Sequence, residues 1–186
     1  MKRIFDLMVA LVLMLIFVPL FLLVALAVRL TSVGPVLFRT QRVGKGNKLF
    51  TMYKFRTMRM NTPQVATHLL KEPDQFLTPI GKLLRRTSLD ELPQLINVVR
   101  EEMSLVGPRP ALFNQDDLIA LRTAGGVDAL TPGITGWAQV NGRDELPITE
   151  KVKLDEWYMK NRSFWLDLKV VRMTVVKVLR KDGVAH

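Results

Sequence analysis

Two adjacent carboxylates, Asp90 and Glu91, stand in the stretch RRTSLDELPQL of a 186-residue chain whose formal charge is +10. Lys54, Arg56, Arg85, Arg86 and Arg109 supply cations before and after them. Such a set suits phosphate chemistry. Arginine grips phosphate through two parallel hydrogen bonds, and lysine acts as a point charge. An acidic pair can hold Mg2+, which prefers oxygen ligands and often bridges to substrate phosphates. A carboxylate can also attack phosphorus itself to give an acyl phosphate. A helix N-terminus beside the pair would add an anion site.

The same stretch has a purely structural reading. Ser88 and Glu91 have the S-x-x-E spacing of a capping box, and acids in a first turn favour the positive end of the helix dipole. Leu89, Leu92, Leu95, Ile96 and Val99 recur at helical spacing, which predicts a helix from Leu89 to Val99. Pro93 fits this poorly, because proline is most at ease at the first helical position. Capping therefore accounts for Glu91 better than for Asp90, and local sequence leaves structure and chemistry both open.

Other chemistries drop out. The chain has no Cys, so disulfides, thiol nucleophiles and Cys-based zinc sites are excluded. Its two histidines, His68 and His186, are far apart, which argues against a His-dependent triad or a multi-His metal site. There is no GxxxxGK[ST] loop and no GxGxxG. The positive charge calls for a polyanionic partner: nucleic acid, an anionic membrane or phosphorylated small molecules. Aromatics do not alternate with basic residues as they do on single-strand stacking platforms, so no nucleic-acid partner is expected.

The elements that must position these residues begin with a membrane segment. From Leu7 to Val28 no charged residue occurs, a length sufficient for a membrane helix at ~1.5 Å per residue. The run is too long for a signal-peptide core and no A-x-A-like site closes it. Basic residues flank both ends, and Pro19 lies near the middle, where it favours a break. A helix-break-helix dipping into one leaflet and a kinked single span both fit. Nothing after residue 30 is long and apolar enough to span again.

GPVLFRTQRVGKGNKLFTMYKFRTM reads as two strands around the turn Gly44-Lys45-Gly46-Asn47. Lys54 and Arg56 would share one face, solvated and basic, with Tyr53 and Phe55 on the other. Residues 59 to 80 read as a loop with a short helix. In SLVGPRP, two prolines hold Arg109 in a stiff non-helical turn. TPGITGWAQVNGR reads as a loop: either Asn141-Gly142 closes a hairpin, or Trp137, Gln139, Asn141 and Arg143 grip a nucleotide. ITEKVKLDEWYMKN reads as a helix. SFWLDLKVVRMTVVKVLRK is a basic amphipathic helix, for the core or for a membrane interface.

KFRTM, RRTSLDELPQLINV, MSLVGPRP, TPGITGWAQVNGR and KNRSFWLDLK occur in this order across nearly the whole chain. In these motifs the sequence resembles the bacterial sugar transferases, specifically the monotopic phosphoglycosyl transferases of the small, PglC-like type. The resemblance implies transfer of a sugar phosphate from a UDP-sugar to undecaprenyl phosphate with release of UMP. It implies Asp90 as the nucleophile of a phosphosugar-enzyme intermediate and Glu91 as a contributor to Mg2+ binding. It also implies that the segment around Pro19 is re-entrant. Longer relatives carry further N-terminal membrane helices and another domain, so this chain is expected to be a minimal catalytic unit. Glu101 and Glu102 stand where relatives often have Gly-Asp or Gly-Glu.

The expected architecture is therefore mixed α/β and helix-rich: a re-entrant membrane helix over 1–30 and one compact catalytic domain over 31–186, with a β-hairpin and interfacial amphipathic helices. It would lie on the cytoplasmic face of the bacterial inner membrane. Lys54, Arg56, Arg85, Arg86 and Arg109 are expected at substrate phosphates, and Gln139, Asn141 and Arg143 at the nucleotide or sugar. Mg2+ is the expected cofactor; a UDP-sugar and polyprenyl phosphate are the expected partners. Two rivals stand beside this: a non-catalytic membrane-anchored adaptor whose basic face binds anionic lipid or nucleic acid, and an enzyme in which Asp90 only binds metal while the lipid phosphate attacks directly. The sugar, the glycan pathway and the oligomeric state have no sequence signal.

Overall fold

The computed structural model describes residues 2–63, 73–142 and 146–180. The chain opens with two helices, α1 (Lys2–Ile16) and α2 (Val18–Thr31), bent by 63° at Phe17. The expected break is present but displaced from Pro19, which occupies the second position of α2. Its missing N–H cannot bond back to Leu15 and its ring crowds the turn before it, so the deflection falls two residues upstream. No single helix among the described residues is long and apolar enough to cross a membrane; only the bent pair, taken together, has the length and composition. The pair exposes Met8, Leu15, Leu22 and Leu30, large apolar side chains that water disfavours.

β1 (Leu37–Val43) and β2 (Leu49–Phe55) form an antiparallel hairpin, with Leu37 opposite Phe55 and Val43 opposite Leu49. Gly46 and Asn47, both at positive φ, turn the chain between them. Both faces of β2 are covered, unlike the expected solvated basic face. Phe50 and Met52 pack with Ala10 of α1, while Phe55 packs on the other side with Val24 and Val28 of α2. Lys54, in register with Phe50 and Met52, emerges where that covered face ends. Arg56 lies one residue past the strand, and its side chain turns back to the α2–β1 link.

The expected single helix from Leu89 is divided. α3 (Gly81–Thr87) ends at Ser88, which is left-handed at φ 56 and whose N–H caps α3. A 3-10 turn (Leu89–Glu91) follows, and then α4 (Gln94–Val99) with Pro93 as its N-cap. The capping box does not form: the Ser88 side chain makes no cap hydrogen bond. A left-handed residue cannot present its hydroxyl as an extended N-cap does. Pro93, which fitted the single helix poorly, sits where the second helix starts.

β3 (Ser104–Val106) pairs in parallel with β4 (Gly133–Thr135). Gly107 and Gly133 approach so closely that a Cβ on either would strike the other's backbone. α5 (Asp116–Ala124), α6 (Trp137–Asn141), α7 (Ile148–Asn161) and α8 (Phe164–Arg180) complete the chain. The TPGITGWAQVN stretch is thus a short strand and a short helix, not a loop, because Val140 turns into a core with Val106, Tyr158 and Val170 and Trp137 packs against it. α8 exposes Trp165 and Leu179 beside its basic residues. A polar chain ties α1 to this core. Lys2 Nζ donates to Asp167 at 2.6 Å, Ser104 Oγ to Asp6 at 2.6 Å, and the Tyr158 hydroxyl to Asp167 at 2.6 Å.

Asn97 of α4 has no exposed surface and clamps the helix to β2. Its Nδ2 donates to the Thr51 carbonyl at 2.7 Å and to Glu102 at 2.6 Å, and its Oδ1 accepts from the Tyr53 N–H at 3.2 Å. Asn97→Ala is expected to lower stability by about 3 kcal/mol, since it orphans buried groups at roughly 1–3 kcal/mol each. Thermal melting in detergent checks this, at about 2–4 °C per kcal/mol for a chain of this size.

Candidate active site

The acidic pair lies in a cleft of about 1120 Å³ whose wall includes Lys54, Arg85, Arg109 and Gln139. Three separate segments meet there. The end of β2 brings Lys54, the 3-10 turn brings Asp90 and Glu91, and the Gly107-Pro108-Arg109-Pro110 turn brings Arg109. That turn is docked by backbone bonds: Gly107 N–H donates to the Thr135 carbonyl and Gly133 N–H to the Pro108 carbonyl, each at 2.9 Å. On the other side the cleft is lined by Phe5, Val9 and Leu13 of α1 and by Leu168 and Val171 of α8. α1 and α8 also bring Lys2, Asp6, Asp167 and Lys177 to the same lining.

The two carboxylates are in opposite electrostatic states. Glu91 accepts from Lys54 Nζ at 2.6 Å and from both Arg109 terminal nitrogens at 3.4 Å. Burial acts to raise its pKa, but Lys54 and Arg109 together hold it well below the usual carboxylate range. Asp90 is 7% exposed and its side chain makes no hydrogen bond among the described residues. Burial pushes it up to about 6; Lys54, Arg85 and Arg109 pull the other way, and the Glu91 charge adds to the rise. Asp90 is therefore a desolvated carboxylate with uncommitted oxygens, beside a second carboxylate that has taken the cations.

Other expected residues separate into groups. Arg85 donates through Nε to Thr57 Oγ1 at 3.1 Å, within electrostatic reach of Asp90. Gly81 makes this contact possible, because a Cβ there would collide with the Thr57 carbonyl. Arg56 is 2% exposed, and its terminal nitrogens donate to the Val33 and Ser32 carbonyls and the Ser32 hydroxyl at 2.7–2.8 Å. Its terminal nitrogens tie the end of α2 to the hairpin, while its buried Nε has no partner among the described residues and its side chain borders the cleft. Arg86 is exposed on α3 and is not part of the cleft wall. Gln139 donates to the Ile134 carbonyl, and its buried Oε1 has no partner. Asn141 is bonded to the Trp137 carbonyl, away from the cleft. Arg143, like His68 and His186, lies outside the described residues. Sequence reasoning missed Arg42 and Arg122, which also line the cleft; no local motif surrounds either.

Among the described residues no three acidic or histidine side chains converge on a metal position. The donor set still fits Mg2+, which usually takes one or two carboxylates and completes its shell from water and substrate phosphates.

A carboxyl with a raised pKa binds its proton more tightly folded than unfolded. Asp90 therefore subtracts stability as pH rises from about 4 to about 6, and the loss persists above that. Glu91 does the reverse, adding stability that disappears as pH falls through its depressed pKa. Asp90→Asn is expected to raise the melting temperature at pH 7.5, with a smaller gain at pH 5. Glu91→Gln is expected to lower it at pH 7.5, leaving Lys54 and Arg109 without their anion. Melting curves at the two pH values check both signs.

Comparison with known proteins gives the family of the chain. The family model for bacterial sugar transferases matches residues 1–181. Over 99% of its length the chain is 44% identical to a Bacillus subtilis (strain 168) protein named uncharacterized sugar transferase EpsL, and it covers 90% of that protein. It is 43% identical over 98% of its length to a UDP-glucose:undecaprenyl-phosphate glucose-1-phosphate transferase of Caulobacter vibrioides, covering 71% of it. A protein of the same name from Escherichia coli K12 is 42% identical over 95% of the chain, which spans only 40% of that relative. The shared region includes the hairpin, the acidic turn and the proline-flanked arginine alike, and the chain belongs to the bacterial sugar transferase family.

Proposed function

We propose that the chain transfers a sugar 1-phosphate from a UDP-sugar to polyprenyl phosphate, releasing UMP, through a phosphosugar ester on Asp90. One observation carries the reading. Two neighbouring carboxylates are held in opposite states, Asp90 raised by burial and Glu91 lowered by Lys54 and Arg109, in a cleft that also carries apolar lining from α1 and α8. A buried carboxylate with no hydrogen bond among the described residues is poised to attack, and its partner is poised to share cations with a diphosphate.

In the first step an Asp90 oxygen bonds to the β-phosphorus of the UDP-sugar. The bond from that phosphorus to the bridging oxygen breaks, and UMP leaves with the oxygen and its electron pair. In the second step an oxygen of the polyprenyl phosphate attacks the same phosphorus, and the Asp90 carboxylate is the leaving group. Lys54, Arg85 and Arg109 hold the phosphates during both steps, and Gln139 is placed to meet the nucleotide or sugar. When bound, Mg2+ neutralises diphosphate charge, with Glu91 as its protein ligand.

The bent helix pair is read as entering one leaflet and returning, with the cleft on the cytoplasmic side of the bacterial inner membrane and Mg2+ from the cytosol. Its exposed apolar residues and basic flanks support that placement. The relatives' names support undecaprenyl phosphate as the acceptor class and a first membrane step of glycan assembly as the role.

UMP release across a panel of UDP-sugars, with polyprenyl phosphate and Mg2+ present, identifies the donor; Asp90→Asn is expected to abolish it. Donor labelled in its sugar phosphate, incubated without acceptor, should leave label on Asp90. Full activity with acceptor but no trapped label would instead establish direct attack by the lipid phosphate, and an active Asp90→Asn variant would reject both routes. The acid limb of kcat/KM should fall below about pH 6, because attack needs the ionised carboxylate.

A further inference from the structure

Behind the charged residues of the cleft lies a buried ion pair for which the steps above have no use. Arg122 of α5 donates through Nε and Nη2 to one oxygen of Asp155 on α7, at 3.0 and 2.6 Å. Its remaining terminal nitrogen, Nη1, donates to the main-chain carbonyl of Arg109 at 2.7 Å. Arg122 is 8% exposed and Asp155 1%. Burial raises the Asp155 pKa, with Arg122 opposing that rise.

A pair this deep is weak as a stabilising device, because desolvation offsets most of the Coulombic gain. Packing alone would be served by apolar residues, as it is beside the pair, where Ala111, Leu118 and Val152 form a small core. What the pair adds is direction at one atom. Pro108 and Pro110 fix their own φ, and the residue before a proline is confined to extended backbone. The prolines narrow the conformations of the turn itself, and Arg122 fastens that stiffened turn to α5 and, through Asp155, to α7 by way of the Arg109 carbonyl. The guanidinium of the same Arg109 reaches Glu91 at 3.4 Å.

We propose that Arg122 and Asp155 are positioning residues for the transfer reaction: through the Arg109 carbonyl they hold the Arg109 guanidinium in register with the acidic pair and with the donor diphosphate. The inference rests on the function proposed above. It assigns to α5 and α7, which contribute none of the residues placed at the phosphates, the task of aiming one that does.

The test is a double-mutant cycle on full-length protein in detergent, reading kcat and KM for UMP release beside a melting curve. Asp155→Asn is expected to retain a cooperative melt and to lose about 10–100-fold in kcat/KM, the scale of a misplaced catalytic contact. Arg109→Ala should lose at least as much. The double variant should then be no worse than Arg109→Ala alone, because the relay has nothing left to aim. If Asp155→Asn fails to fold, Arg122→Lys serves in its place in the same cycle. Losses that multiply in the double variant, or wild-type kcat/KM in the single one, overturn the proposal. Absence of UMP release from the wild-type protein is a different result and counts against the function itself.

Discussion

The constraint on which the site depends is the sharing of two cations between two carboxylates. A turn that buries adjacent acids beside each other is unfavourable unless at least one charge is matched. Lys54 and Arg109 match Glu91, and what remains for Asp90 is a pKa raised by burial and a carboxylate that makes no hydrogen bond among the described residues. The asymmetry comes from geometry, because adjacent residues in a 3-10 turn point in different directions. Glu91 faces the end of β2 and the proline-flanked turn. Asp90 makes no hydrogen bond to Lys54 or Arg109, and their charges lower its pKa without offsetting the rise from burial.

Each cation arrives by a different structural device. Lys54 is delivered by strand register, since Phe50 and Met52 anchor its face of β2 against α1. Arg109 is delivered by a turn that two prolines stiffen, two backbone bonds to the β4 segment dock, and Arg122 anchors from behind. Arg85 is delivered by a short helix that approaches Thr57 at a glycine. Flexible cations around a buried acid pair would relax to neutralise both members. Rigid ones can leave one member unsatisfied, in the manner of a site that stores an unfavourable charge for chemistry.

How much of this was legible in the sequence depends on the range of the interaction. Local patterns located the hairpin, the helix over 148–161 and the amphipathic helix after it, because their periodicities are set by neighbours three or four residues away. The acidic pair stood out because Asp90 had no local role and Pro93 broke the helix pattern. What failed was local grammar overruled by distant contacts. Ser88 and Glu91 spell a capping box, yet Ser88 caps the preceding helix in a left-handed conformation and Glu91 is taken by residues 37 and 18 positions away. Arg56 looked equivalent to Lys54 two residues on, but the strand ends between them and Ser32 and Val33 take its donors. Arg122 and Asp155, 33 residues apart, have no signature that either could show alone.

The placement of the bent helix pair then bears on the chemistry as well as on anchoring. Phe5, Val9 and Leu13 of α1 line the same cleft as Asp90 and Arg109, so the apolar segment contributes directly to the candidate site. Lys2 and Asp6, at the start of that helix, are fastened to Asp167 and Ser104 of the domain core. On the proposed reading, a lipid phosphate reaches Asp90 with its hydrocarbon along the apolar residues of α1 and its charge toward the cations, while the donor diphosphate meets the same cations from the aqueous side. Burial raises the Asp90 pKa, while Lys54 and Arg109 keep Glu91 ionised beside it. On the proposed reading, the segment that enters the membrane and the carboxylate that attacks border one cleft, so lipid and donor are brought to the same cations.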